Sequence, residues 1–312
     1  MTFETRSRLP IPLFYSAAYV AAGHGFDTTR KARWLHDSLL DAPIPGFEWR
    51  APAPLEAARL ARAHDRPYVD AVRLGQPREL AQSQGFAWDR GLWASACAHA
   101  GGMVAAARAA LERGCAGSLS SGQHHARRDT GEGFCTFNGI ALAALELADA
   151  GKRVLIIDTD AHCAGGTHSL VEDEARVSQL DIAVSAFDDY APAPRNTLDV
   201  IRSARAYLPT LRARLAEFAQ RAAPPDLCLY YAGMDPFEDC STGGLVGIDE
   251  ATLAARERLV FDWCREWALP IAFGLGGGYT GWRLTEEQLV GLHRLTLEAA
   301  AAAYYSAGGG PD

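Results

Sequence analysis

Two carboxylates and an imidazole occupy alternate positions in the stretch IIDTDAHCAGGTH, residues 156–168: Asp158, Asp160 and His162. Alternate side chains of an extended chain point to one side, so Asp160 and His162 can reach a single metal ion, with Asp158 as a supporting group. Three other places carry similar chemistry: the adjacent His124 and His125 in SGQHHARRDTGEGF, Asp235 in AGMDPFED, and Tyr279 after three glycines in GGGYT. One His and two Asp with a position left for water describe a catalytic zinc site, whereas structural zinc favours thiolates. A two-metal hydrolase would want a further bridging acid, and the chain after Asp235 reads PFED, with no Asp two residues on; one metal is expected. A histidine of the pair that stays neutral near pH 7 can act as general base, its tautomer held by a carboxylate. The glycines permit close approach, so Tyr279 can be presented to a substrate carbonyl as an oxyanion donor.

Taken singly, each feature has a plainer reading. An Asp after a strand is often a helix cap, a loop His pair can be a surface feature, and Gly-Gly-Gly-Tyr can be a tight turn with a packed phenol. Order and spacing together favour chemistry, because each cluster follows a run that reads as a strand. Residues 154–157 are apolar, β-branched and closed by acids, the mark of a buried parallel strand whose carboxyl end opens on the crevice where α/β sheets place their sites. Strands are likewise expected at 12–16, 115–119, 176–183, 227–231 and 271–275. Helices are expected from 27 to about 40, at 55–64, after Pro67, at 91–113, 138–150, 197–222 and from 249 to about 267, with a last one closing the chain. Asp27 with Thr28 reads as the cap of the first helix, whose Ala32, Leu35 and Leu39 share one face. Strand and helix alternate throughout, which predicts an α/β fold with a mostly parallel sheet flanked by helices and right-handed crossovers.

A length of 312 residues without an evident linker suggests a single domain over 1–312, ending in a flexible tail at 308–312. Hydrophobic residues at 48% and charged residues at 22% suit a soluble globular chain. A net charge of −8 without a basic stripe argues against direct nucleic-acid binding. Seven scattered cysteines without a CxxC pair suit reduced thiols and a cytoplasmic setting, and neither a signal peptide nor a membrane-length apolar run is evident.

The motifs GQHHA (122–126) with GFCTFN (133–138), DTDAH (158–162), AGMDPFED (232–239) with GGL (243–245), and GGGYT (276–280) resemble, in content and order, those of the arginase-like zinc deacetylases. That superfamily includes histone deacetylases, acetylpolyamine amidohydrolases and acetoin-utilisation proteins, and the match spans most of the chain. GFDTTRKARW (25–34), the DAH spelling and the short tail resemble the class IV branch and its bacterial relatives more than class II. The resemblance implies a three-layer arginase/deacetylase fold and zinc-dependent hydrolysis of an N-acyl amide, with an acyl-lysine peptide or an acylated small amine as substrate. It implies one zinc held by Asp160, His162 and Asp235, with Fe2+ or Co2+ as other ions these ligands accept, and K+ or Na+ held by Asp158, Asp181, Ile182 and main-chain oxygens of Asp160 and His162. Tyr279 would bind the scissile carbonyl and His125 would be the base. His124, backed by Asp158, would be its electrostatic companion, and Gly133, Phe134 and Gly277 would line a narrow tunnel. An acetylpolyamine amidohydrolase and a non-catalytic acyl-amide binder are the competing readings.

One position departs from the pattern. The family usually places Asp or Asn where this chain has Gly165, in HCAGG, and that residue supports the second histidine. Either His125 is neutral with less tuned basicity, or a carboxylate from a different loop takes over the task. An uncompensated loss of an orienting partner costs about 10 to 100-fold.

Overall fold

The computed structural model describes residues 9–220 and 224–305; the expected tail at 308–312 and the end of the helix expected at 197–222 lie outside the described residues. Eight strands form one sheet: β1 (Ile11–Phe14), β2 (Phe47–Arg50), β3 (Cys115–Ser121), β4 (Val154–Asp158), β5 (Val177–Ala183), β6 (Asn196–Val200), β7 (Leu227–Ala232) and β8 (Ile271–Leu275). The helices are α1 (Asp27–Asp41), α2 (Ala57–Leu60), α3 (Arg66–Leu74), α4 (Arg78–Ala81), α5 (Arg90–Arg113), α6 (Gly139–Asp149), α7 (Gly165–Val171), α8 (Ala204–Ala219), α9 (Glu250–Glu266) and α10 (Glu286–Tyr304).

Every strand pair is parallel, and the strand order is β2-β1-β3-β8-β7-β4-β5-β6. The four strands expected to end in chemistry, β3, β8, β7 and β4, are therefore consecutive in space although scattered in sequence. Along β4 the side chains alternate: Leu155 and Ile157 enter the core beneath α1, α8, α9 and α10, while Val154 and Ile156 enter the core shared with α5 and α6. A strand buried on both faces must be apolar throughout, which is why β4 shows no alternation of polarity. The result is the three-layer α/β fold that the sequence implies.

The long α5 lies against β3 and β8. Its small residues allow this approach; a Cβ on Gly102 would fall 2.1 Å from the Tyr19 hydroxyl and 2.6 Å from Ser118 Oγ. Two local expectations fail. Residues 196–200 form the edge strand β6, paired in register with β5 from Gln179↔Asn196 to Ala183↔Val200, and α8 starts only at Ala204. A ladder along β5 outweighs the weak helix propensity of Thr197 and Val200. The helix expected at 55–64 shortens to α2, and β2, α4 and α7, too short to show a period, were not expected.

Behind the site-bearing loops lies a buried ion pair. Arg256 and Glu257 are fully buried on α9, with Arg256 Nε 2.8 Å from Glu257 Oε1. Arg256 Nη1 also donates to the Thr159 carbonyl and the Tyr207 hydroxyl, both at 3.1 Å, and the Tyr230 hydroxyl donates to Glu257 Oε1 at 2.8 Å. The pair thus holds the backbone just beyond β4. Removing one partner strands a buried charge, so Arg256→Ala is expected to lower stability by about 3–5 kcal/mol in urea denaturation. A loss below about 1 kcal/mol would mean that the pair does not hold this region.

Candidate active site

Asp160 and His162 follow β4, Asp235 follows β7, and one ligand atom from each lies within 4.8 Å of the others. His162 Nδ1 sits 3.1 Å from Asp160 Oδ1 and 3.2 Å from Asp235 Oδ2. Backbone donors orient the carboxylates: Ala161 N donates to Asp235 Oδ1 at 2.9 Å, and Gly277 N donates to Asp160 Oδ2 at 2.5 Å. Gly277 can be nothing larger, since a Cβ there would fall 2.0 Å from Asp235 Oδ2. That oxygen is buried, and the His162 ring nitrogen that it faces is shared with Asp160. Burial disfavours charge on His162, yet hydrogen bonds and attraction from Asp160 and Asp235 outweigh it and hold its pKa up at about 10. Burial and the Asp160 charge push Asp235 up to about 6. A buried set of two carboxylates that draws a proton onto its imidazole fits a divalent cation.

A second acidic pair lies deeper. Asp158 and Asp181 face each other in register across β4 and β5 and are fully buried. Burial and mutual repulsion raise Asp181 well above the usual carboxylate range; its Oδ2 accepts from Ala164 N at 2.7 Å while Oδ1 has no partner. Burial, then the Asp160 charge, also raises Asp158. Ile182 follows in the same buried strand. Asp181 Oδ1 is thus a buried carboxylate oxygen without a hydrogen bond, beside a second buried acid.

The histidine pair follows β3, with ring centroids 3.9 Å apart. His124 Nδ1 bonds Asp158 Oδ2 at 2.9 Å, the pairing that the sequence suggested. His125 Nδ1 bonds Asp188 Oδ2 at 2.7 Å. Asp188 lies in the loop between β5 and β6, so of the two expectations for His125 the one invoking a carboxylate from another loop describes this structure. Nothing in FDDY marks Asp188 as special; the only sequence signal was the hole left at Gly165. Burial, followed by the neighbouring His124, lowers His125 to about 4 despite Asp188, so the ring is neutral at pH 7.

An opening of about 280 Å³ leads to these groups, lined by His125, Gly133, Phe134, His162, Ser185, Phe187, Thr242 and Tyr279. Gly133 has φ 52°, and a Cβ there would fall 2.4 Å from His125 Cδ2, so the loop can press against the base only as glycine. Gly277, expected on the tunnel wall, lines an inner chamber of about 20 Å³ together with Gly133 and Phe134, room for about one water. The same chamber is lined by Lys31, whose ammonium donates to the Gly276 carbonyl. Lys31 is 2% exposed, and burial lowers its pKa against the pull of Asp235 and Asp160. The lysine was overlooked although its position four residues before Leu35 places it on the apolar face of α1. Asp27 was misread as well: rather than capping α1, its Oδ1 accepts from Thr280 Oγ1 at 2.9 Å and from Thr280 N at 3.3 Å, tying down the loop that carries Tyr279. Tyr279 is buried, and burial together with Asp235 and Asp160 raises its pKa, so the phenol keeps its proton to donate. Among the described residues all seven cysteines are free, and no helix is long and apolar enough to cross a membrane.

Comparison with known proteins agrees with this geometry. A protein from Picosynechococcus sp., uncharacterized, is 31% identical over 304 residues, covering 94% of this chain and 99% of that protein. Histone deacetylase 2 of Arabidopsis thaliana is 29% identical over 294 residues, covering 86% of this chain and 74% of its own length. Two crystal structures share the fold: the acetylpolyamine aminohydrolase from Burkholderia pseudomallei, with TM-score 0.74, 19% identity and coverage of 94% and 99%, and the HDA15 HD domain, with TM-score 0.76, 18% identity and coverage of 96% and 91%. The family model of the histone deacetylase domain matches residues 24–291. With that match over most of its length, the chain belongs to the histone deacetylase family.

Proposed function

We propose that the protein is a zinc-dependent amidohydrolase, acting as a single catalytic domain, that removes the acyl group from acyl-lysine side chains of peptides or proteins. The observation that carries this reading is the convergence of Asp160, His162 and Asp235 with the His124/His125 pair and Tyr279 at the end of one opening.

Asp160, His162 and Asp235 would hold the ion, which when bound supplies a Lewis acid for the amide carbonyl and lowers the pKa of water. His125 is neutral and has Nδ1 engaged by Asp188, which leaves Nε2 to take a proton from the attacking water. The same nitrogen returns a proton to the departing amine. His124, paired with Asp158, sits beside it as its electrostatic companion. The protonated Tyr279 donates to the carbonyl oxygen as negative charge develops there. Phe134 and Phe187 flank the opening and suit the methylene stem of a lysine. The small chamber beyond favours a short acyl group.

No carboxylate lines the opening among the described residues, and this favours acyl-lysine over acetylpolyamine, whose remaining ammonium groups would seek acidic partners. The shared fold with an acetylpolyamine aminohydrolase keeps that substrate as the second reading. A cytoplasmic setting, with reduced cysteines, is part of the proposal.

Four outcomes are expected. Zinc at about a hundred times its Kd should stabilise the protein by about 2.7 kcal/mol in thermal unfolding, and Asp235→Ala should abolish that gain. Because His162 is protonated below a pKa of about 10 and must be neutral to bind, zinc uptake at pH 7 should release about one proton, read by calorimetry in two buffers of different ionisation heat; affinity then rises with pH. The zinc-loaded protein should release acetate from acetyl-lysine peptides faster than from acetylated polyamines and lose this activity to a chelator. Tyr279→Phe should lower kcat about 100 to 1,000-fold, whereas a pure acyl-amide binder would show no turnover to lose.

A further inference from the structure

We propose that Asp188 is the positioning residue for His125, delivered from the β5–β6 loop, and that Gly165, Arg127 and Asp188 form one interdependent arrangement; this rests on the deacylase reading above. The carboxylate is fully buried and every contact on it is specific. Its Oδ2 accepts from His125 Nδ1 at 2.7 Å and from Gly166 N at 3.0 Å, and its Oδ1 is held by Arg127 Nη2. Arg127 Nη1 in turn donates to the Gly165 carbonyl at 3.3 Å. The carboxylate therefore has one orientation, and so does the imidazole that it holds.

Space explains why this acid comes from so far along the chain. A Cβ on Gly165 would fall 2.3 Å from the Asp188 carbonyl oxygen and 2.4 Å from Asp188 Oδ1. Any side chain at 165, including the Asp or Asn usual in the family, would collide with Asp188 unless that loop shifted. The glycine is thus the space into which Asp188 fits, and the departure from the family pattern and its replacement are two halves of one solution. The backbone adds a further sign: Asp188 has φ 61°, in the left-handed region that a residue other than glycine adopts only occasionally. Such a conformation persists where surrounding contacts over-determine it, and it concentrates at functional sites.

The arrangement ties the base to the tunnel wall. Phe187, the residue before Asp188, is 45% exposed at the opening, and its ring meets His125 and His162 edge-on, with centroids 5.1 and 5.9 Å apart. The Phe187 carbonyl is fastened by Cys163 N at 3.0 Å, so wall and carboxylate share one anchored loop. A substrate stem that presses on Phe187 therefore presses on the support of the base.

The test uses the zinc-loaded full chain with Asp188→Gly, which removes the carboxylate and accepts the left-handed backbone, and Asp188→Asn, which keeps an acceptor for the imidazole N–H. D188G should lower kcat about 10 to 100-fold, with KM within about twofold of wild type and zinc stabilisation unchanged, and D188N should recover a large part of the loss. Equal losses in both variants, a loss confined to KM, or wild-type kcat in D188G would overturn the proposal. If the wild type turns over no acyl amide, the deacylase reading fails, while the positioning claim is still decided by 15N-detected imidazole spectra. His125 should carry its proton on Nδ1 in the wild type and a mixture of tautomers in D188G; an unchanged tautomer sinks the claim.

Discussion

Four carboxylates, Asp158, Asp160, Asp181 and Asp235, are packed with almost no solvent contact at the carboxyl ends of β4, β5 and β7. An unpaired buried charge costs several kcal/mol, so the surroundings are organised to answer these groups. Backbone N–H groups of Ala161, Ala164, Gly277 and Asp160 point at them, His124 and His162 pair with them, and the Lys31 ammonium is buried nearby. Even so, Asp181 Oδ1 has no donor, Asp235 Oδ2 shares the His162 ring nitrogen with Asp160, and that ring draws a proton. Such a cluster of buried acids is costly without a counter-charge, and Asp160, His162 and Asp235 could hold a metal ion.

The same constraint explains the glycines. Bringing N–H donors within reach of a buried carboxylate requires backbone to approach where a Cβ would intrude. Gly277 lies against the two ligand carboxylates, and Gly166 lies against the His124 and His125 carbonyls, where a Cβ would come within 2.5 Å of both oxygens. Close backbone approach converts peptide dipoles into a fixed electrostatic environment, which needs no reorganisation when charge develops in a substrate. The Arg256–Glu257 pair and the Asp27–Thr280 contacts play a supporting part, since they fix the segments from which those donors and Tyr279 project.

The two histidines show how one chemical task is met by different means. His124 takes its carboxylate from β4, three strands away from β3 with β8 and β7 between, and the sequence motif already suggested this. His125 takes Asp188 from a loop beyond β5, held there by Arg127, which comes two residues after His125 itself. The carboxylate reaching His125 is thus set by where a loop can fit, and a missing side chain at 165 is what makes it fit.

Local pattern in the sequence determined the strands that end in polar clusters and singled out Asp160, His162 and Asp235 as candidate ligands. A buried parallel strand must be apolar along its whole length, so β4, β7 and β8 stand out, and the polar residues that interrupt them mark the catalytic edge. Local pattern also suffices for the start of α9, since the Asp249 cap is a contact between near neighbours, Thr252 N to Asp249 Oδ1 at 2.8 Å. Tertiary structure alone decided which strands would be adjacent, that Asp27 would hold Thr280, that Lys31 would face the inner chamber and that Asp188 would replace a missing partner. Each of these joins residues far apart in the chain, and the strand order β3-β8-β7-β4 that unites them leaves no periodic trace in the sequence. Gly165 lies on the boundary between the two: its oddity was visible in the sequence, but a glycine carries no record of what fills the space beside it.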